Sequence, residues 1–163
     1  YNKRVEPVDT SMIHTSTKSL LLFFAGGKNP PGGIRERLER QINAIIESGH
    51  LRNNIIFRTG KINKNEYHHY IHKSIFCLSI RGDTASSSRL FGIINAGCIP
   101  VLISDWLPLP FENIIDYSKF SIRFPESIVH DVRILIEQLR SIPLATIQSY
   151  QESLVLAKQL LLY

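Results

Sequence analysis

No stretch of this sequence is long and apolar enough to span a membrane, and no signal peptide is visible. Basic residues are scattered and never form a run, which argues against a nucleic-acid-binding arm. No internal repeat is evident, which argues against a solenoid or propeller. The loop Gly26-Gly27-Lys28-Asn29-Pro30-Pro31-Gly32-Gly33 is not a P-loop, because Asn follows Lys28 and the spacing fails. Cysteine is scarce, with only Cys77 and Cys98. Each falls in or beside a predicted core strand, and two readings stay open: small buried hydrophobes, or a disulfide between neighbouring strands. The chain opens on Tyr1 rather than Met and so reads as an excerpt of a longer protein.

What is present suffices for one domain with a real core. Hydrophobic residues make up 44% of the 163, so a folded globular chain is expected. Lys plus Arg is 19 against 14 Asp plus Glu, a net charge of +5 that suits an anionic ligand.

Residues 1–18 are polar, with Pro7 and several Ser and Thr, and read as a linker or irregular lead-in. Residues 19–142 read as a Rossmann-like domain, and residues 143–163 as a C-terminal helix after the break at Pro143. Within the domain, Ser19 to Ala25 is a buried strand. Ile34 to Ser48 is an amphipathic helix with Ile34, Leu38, Ile42, Ile45 and Ile46 inward and Arg35, Arg37, Glu39 and Arg40 facing water. Gly49 ends it. Asn54 to Arg58 is a second strand, with Thr59, Gly60 and Lys61 as its exit. Lys64 to Lys73 is a short helix. Asp105 to Asp116 is proline-rich loop, Phe120 to Phe124 alternates like an edge strand, and Glu126 to Ser141 is one further helix. Strand and helix alternate throughout, which predicts α/β architecture with a mainly parallel sheet flanked by helices.

The central stretch is SIFCLSIRGDTASSSRLFGIINAGCIPVLISD, Ser74 to Asp105. It reads as strand, loop, helix, strand. Gly82 lets backbone approach a ligand closely. Ser86, Ser87 and Ser88 cap a helix start, and Arg89 falls in its first turn. Serines, free N–H groups and a guanidinium at a helix start make an anion site, above all for phosphate. Ligands in such sheets bind beyond the carboxyl ends of the strands, where Gly26, Lys28, Arg81 and Asp105 also fall.

The order Phe-Cys-Leu, Gly-Asp-Thr, Ser-Ser-x-Arg-Leu-Phe, Gly-Cys-Ile-Pro-Val, Ser-Asp and Leu-Pro-Phe-Glu, with Leu-Leu-Phe-Phe-Ala-Gly-Gly and Ile34-Arg35 upstream, resembles the exostosin-like glycosyltransferases, especially the plant-type cell-wall enzymes. The resemblance covers Leu20 to about Phe124. It implies one half of a GT-B enzyme, the C-terminal donor-binding domain. It also implies inverting transfer of a sugar from a uridine diphosphate sugar to a polysaccharide or glycoprotein glycan, by a type II membrane protein of the Golgi. The donor site would comprise Arg81, Gly82, Ser86, Ser87, Ser88, Arg89, Gly26 and Lys28. The catalytic base would lie in an N-terminal domain outside these residues, and a partner glycosyltransferase subunit is conceivable. No metal and no cofactor beyond the donor is expected: the sequence has no Asp-x-Asp, and a helix start with an arginine is the metal-free way to hold a diphosphate. Gly92 departs from the family pattern, which has an acidic residue there near the donor ribose. That departure motivates an alternative, a non-catalytic member that binds a donor or a partner. A second alternative is an independent flavodoxin-like binding domain.

Two further features have competing readings. His68, His69 and His72 include an i, i+4 pair that could ligate zinc, against the plainer reading of an exposed helical face. Trp106 either stacks on a sugar or base or packs under the proline loop, and the sequence leaves both open.

Overall fold

The computed structural model describes residues 18–28, 32–49, 54–80, 88–106 and 108–162. Continuous apolar runs build the middle of the sheet, as expected for strands covered on both faces. β1 (Leu20–Gly26), β3 (Ser74–Ile80) and β4 (Ile99–Ile103) are buried along most of their length, whereas the short β5 (Ile122–Phe124) alternates as an edge. With β2 (Ile55–Thr59) they form one sheet of order β2-β1-β3-β4-β5, and every pairing is parallel. The helices are α1 (Ile34–Glu47), α2 (Lys64–Lys73), α3 (Ser88–Asn95), α4 (Val132–Ser141) and α5 (Leu144–Leu162). This is the Rossmann-like α/β arrangement that the alternation predicts.

Helices cover both faces. Leu38, Ile42 and Ile45 of α1 pack with Val132, Leu135 and Leu139 of α4 on Phe24, Phe76 and Val101. On the other face, Ile93 of α3 and Ile71 of α2 meet Phe23 and Ala25, while Leu90 and Ile94 of α3 meet Leu102 and Leu154 of α5. Among the described residues no helix is long and apolar enough to cross a membrane.

The strand order positions the site. From β1 the chain winds outward to β2, then crosses back to β3 on the other side of β1. The carboxyl ends of β1 and β3 therefore flank a topological switch point, where doubly wound sheets leave a crevice for a ligand.

Cys77 and Cys98 form a disulfide, with Cα atoms 5.8 Å apart. The register Phe76↔Ile99 and Cys77↔Pro100 brings the start of β4 beside β3, so Cys98, two residues before Pro100, is within diagonal reach of Cys77. Both cysteines are buried, and the bridge closes a span of 21 residues that contains α3. By loop-closure entropy a ring of that size stabilises by about 3 kcal/mol.

The helix expected over Glu126 to Ser141 is two elements. Glu126–His130 is a 3-10 helix, and Asp131, at φ −150° and ψ 89°, breaks the run before α4. The Asp131 carboxylate accepts a hydrogen bond from Arg133 N at 3.1 Å and so caps α4. An aspartate inside a helical pattern competes for backbone N–H groups, and here it wins a cap.

Candidate functional site

Two arginines converge on the crevice between β1 and β3. Arg89 lies in the first turn of α3 and Arg35 in the first turn of α1. Their helices cover opposite faces of the sheet, so the side chains approach its carboxyl edge from both sides. Arg89 reaches across the end of β1. Its Nη1 donates to the Ala25 carbonyl, and its Cζ lies 4.9 Å from the centre of the Phe24 ring. Arg35 Nη1 donates to Gly27 O at 2.9 Å and Nη2 to Ile80 O at 3.4 Å, joining the exit of β1 to the end of β3. Its Cζ lies 5.7 Å from the same Phe24 ring. That ring, stacked on Phe57 at 4.7 Å, gives both cations a fixed apolar floor with a negative π-face.

Gly26 makes the approach possible. A Cβ at this position would lie 2.5 Å from Arg89 Nη2 and 3.0 Å from its Cζ and Nη1. The end of β1 therefore carries a glycine because the Arg89 guanidinium fills the space a side chain would take.

Burial first, and then the neighbouring Arg35 charge, lower the Arg89 pKa from the ordinary arginine value. Arginine nevertheless stays cationic at any physiological pH. Two guanidinium groups held close outside bulk water repel each other, and an anion between them removes that cost. Arg89 contributes one N–H group to Ala25, and a guanidinium has five to offer.

Of the residues expected at the donor site, Gly26 and Arg89 are in direct apposition. Ser88 opens α3 and is exposed, and Lys28 is exposed just beyond β1. Arg81, Gly82, Ser86 and Ser87 lie outside the described residues. Arg35 is a correction: expected to face water, it is half-buried in the crevice. A signal for this was present, because Arg35 precedes Leu38 by three residues and Ile42 by seven, which puts it on the apolar stripe of α1. Glu39 is likewise half-buried rather than facing water. Its carboxylate accepts from Thr59 N at 2.8 Å and Thr59 Oγ1 at 2.5 Å, which fixes α1 to the end of β2. Gly92 is exposed on α3, and a Cβ there would meet nothing within 4 Å.

His68, His69 and His72 are exposed, and among the described residues no group of three His, Cys, Asp or Glu side chains is placed to hold a metal ion. Trp106 is 86% exposed, so it does not pack under the proline loop. A cavity of about 540 Å³ lies along the β4–β5 connection, and no residue of β1, β3 or α3 lines it. The convergence of Arg35 and Arg89 at the switch point lies apart from this cavity.

A family model, the Exostosin GT47 domain, matches residues 3–139. The chain belongs to this family. Exostosin GT47 relatives include the protein named Probable arabinosyltransferase ARAD1 of Arabidopsis thaliana, 32% identical over 148 residues, which cover 87% of this chain and 31% of that protein. Probable beta-1,4-xylosyltransferase IRX10 of Arabidopsis thaliana is 32% identical over 133 residues, 82% of this chain and 31% of its own length. Exostosin-2 of Bos taurus is 33% identical over 86 residues, 53% of this chain and 12% of its own length. The chain thus spans about a third or less of the curated relatives it matches. The expected resemblance to exostosin-like, plant-type glycosyltransferases holds.

Proposed function

We propose that this exostosin GT47 chain is the donor-binding part of an inverting GT-B glycosyltransferase, which moves a sugar from a uridine diphosphate sugar to a polysaccharide or glycoprotein glycan. The observation that carries the reading is the meeting of Arg35 and Arg89 at the β1/β3 switch point, with Gly26 clearing the space. A nucleoside diphosphate gains negative charge as its bond to the sugar breaks, and catalysis needs that charge stabilised as it develops. A guanidinium offers two parallel N–H groups to two phosphate oxygens, and a helix start adds its own partial positive charge. Arg89 holds the diphosphate. Arg35 sets the position of the crevice walls and adds positive potential. No divalent ion is required, because the fixed cations do the work a metal held by Asp-x-Asp would do. The base that activates the acceptor hydroxyl lies in a further domain. Arabinose, xylose or glucuronate as the transferred sugar is supported by relatives named as probable arabinosyl-, xylosyl- and glucuronosyltransferases, the last from Oryza sativa subsp. japonica. A lumenal Golgi location is consistent with the buried disulfide, since disulfides persist in oxidising compartments.

One observation favours a second reading, a non-catalytic member that binds donor without turnover. Gly92 leaves α3 without a carboxylate where the family pattern has one.

The test uses radiolabelled uridine diphosphate arabinose, xylose and glucuronate. The chain alone is expected to bind at least one donor without releasing its sugar, and a protein that also carries the partner domain is expected to transfer it. Binding without transfer by the two-domain protein would select the second reading. No binding of any of the three donors, or of free uridine diphosphate, would refute the donor-site assignment.

A further inference from the structure

α3 has little reason of its own to be a helix. It is eight residues long, SRLFGIIN, and carries a glycine, two β-branched isoleucines and an asparagine. Helices this short are marginal in water, and these residue types lower helix propensity further. Its place and direction therefore come from what holds it. Leu90 and Ile94 meet Leu102 and Leu154, and Ile93 meets Phe23 and Cys77. Apolar packing of this kind is non-directional and leaves a helix able to slide or turn on the sheet. Lys158 Nζ donates to Asn95 O at 3.0 Å, an exposed contact of a long side chain that restrains α3 little.

The two ends of α3 are held more firmly. At its carboxyl end, Cys98 N donates to Ile93 O at 3.2 Å and Gly97 N to Ile94 O at 3.1 Å, with Gly97 at φ 70°. This pair of bonds is a Schellman cap, and Cys98 is part of it. The same residue is bonded through sulfur to Cys77 of β3, which stands opposite Phe23 in the pairing of β1 with β3. At the amino end, Arg89 donates to Ala25 O, two residues along β1 from Phe23. Strand, bridge, cap, helix and arginine thus close one circuit. The peptide link from Cys98 into β4 fixes where α3 ends, but rotation about that backbone still swings the helix. The sulfur bond removes this freedom. Arg89 lies nine residues before Cys98, about 13 Å away at helical rise, so a swing of roughly 5° carries it by about 1 Å. Its seat is narrower than that. The guanidinium occupies the space a Cβ at Gly26 would take, and binding groups must be held within about 0.5 Å to act at full strength.

We propose that Cys77 and Cys98 are positioning residues of the donor site: their bridge aims α3 so that Arg89 sits at the end of β1. This rests on the donor-site reading of Arg89 above. Without the bridge the sheet persists and Arg89 leaves its seat. Arg35 stays, because Gly27 O and Ile80 O hold it from α1, which shares no bond with the bridge. A chain kept from oxidising compartments therefore folds with its diphosphate site incomplete.

Three forms of the chain are compared: oxidised wild type, Cys77→Ala/Cys98→Ala, and wild type reduced by dithiothreitol, which keeps both side chains and breaks only the bond. The Nε–H NMR resonance of Arg89, identified by its loss in Arg89→Lys, reports through ring current the guanidinium's place beside the Phe24 ring, and needs no ligand. The resonance of Arg35, identified with Arg35→Lys, is the control. In both bridge-free forms the Arg89 signal is expected to move towards those of exposed arginines while the Arg35 signal stays. Uridine diphosphate affinity by calorimetry should fall by about tenfold or more, with uridine affinity held within about twofold. Adding Arg89→Ala to the double cysteine variant should bind no worse than Arg89→Ala alone, because the bridge acts through that residue. A wild type that binds no uridine diphosphate overturns the donor-site reading, and the resonances alone then decide whether the bridge places Arg89. The proposal is overturned if the Arg89 resonance or the wild-type affinity survives loss of the bridge, or if the Arg35 resonance moves as far as that of Arg89. It is also overturned if neither bridge-free form folds, which would make the bridge a stability element only.

Discussion

Gly26→Ala is the sharpest probe of the site, because the substitution touches one group and leaves the chemistry of that group intact. The added methyl would sit 2.5 Å from Arg89 Nη2 and 3.0 Å from Cζ. Ordinary contact between such atoms is about 3.5 Å, so the guanidinium must retreat by roughly an ångström. Its bond to the Ala25 carbonyl and its place over the Phe24 ring are then lost. Alanine in a strand is better than glycine by about 0.5–1 kcal/mol, which offsets part of that loss, so the fold should survive with little net change in stability. Diphosphate binding should not survive in the same way. A hydrogen bond to a charged group is worth about 1.5–3 kcal/mol, a roughly ten- to hundredfold fall in affinity. Calorimetric titration with uridine diphosphate reads the effect. Gly27→Ala is the control: its Cβ would meet nothing within 4 Å, and binding should be unchanged. The double variant Gly26→Ala/Arg89→Ala should bind no worse than Arg89→Ala alone, because both act on one interaction. Wild-type affinity in Gly26→Ala would refute the reasoning, as would equal losses at Gly26 and Gly27.

Three other outcomes are expected. Cys77→Ala/Cys98→Ala should lower unfolding free energy by about 3 kcal/mol in denaturant titrations, with the loss disappearing when wild type is measured under reducing conditions. Lys18 donates to His72 O at 3.2 Å and Ser74 O at 3.0 Å, and burial pulls its pKa down to about 8. The unfolded chain then binds the extra proton between about pH 8 and 10.5, so stability should rise through that window, by up to about 3 kcal/mol, and Lys18→Met should flatten the slope. Gly92→Glu restores the acidic residue of the family pattern at an exposed position with space for it. It should tighten uridine diphosphate binding by about 1.5–3 kcal/mol while leaving free diphosphate unchanged, which calorimetry with the two ligands can check.

Much of the fold was legible because strands buried on both faces leave continuous apolar runs. Leu20–Gly26 and Ile99–Ile103 are of this kind, the first followed at once by exposed Gly27 and the second by buried Ser104 and then exposed Asp105. Gly49, at φ 76°, ends its helix as read, and Gly97, at φ 70°, follows the end of α3 in the same conformation. The break at Asp131 was hidden because Ile128, Val132, Leu135 and Leu139 keep helical spacing across it, and periodicity alone does not see a cap. Arg89 was legible from its place after the serines, but its partner was not. Charge suggested that Arg35 faces water, while the crevice that receives it is made by Gly27 and Ile80, the latter 45 residues away in the chain. The disulfide needed the register of β3 against β4, and the exposure of Trp106 needed the Asp105–Glu126 contact between distant segments. Such facts belong to tertiary pairing, which no local pattern encodes.

The central claim is that a guanidinium at residue 89 binds a diphosphate without a metal. Its most direct test is paired titration of uridine diphosphate and uridine into wild type, Arg89→Ala and Arg89→Lys, each with and without chelator. Both variants should lose roughly ten- to hundredfold in diphosphate affinity, because an ammonium cannot match two phosphate oxygens at once. Uridine binding should hardly change, and chelator should not affect the wild type. A folded Arg89→Ala that binds uridine diphosphate as tightly as wild type, or a wild type that releases it on chelation, would contradict the account.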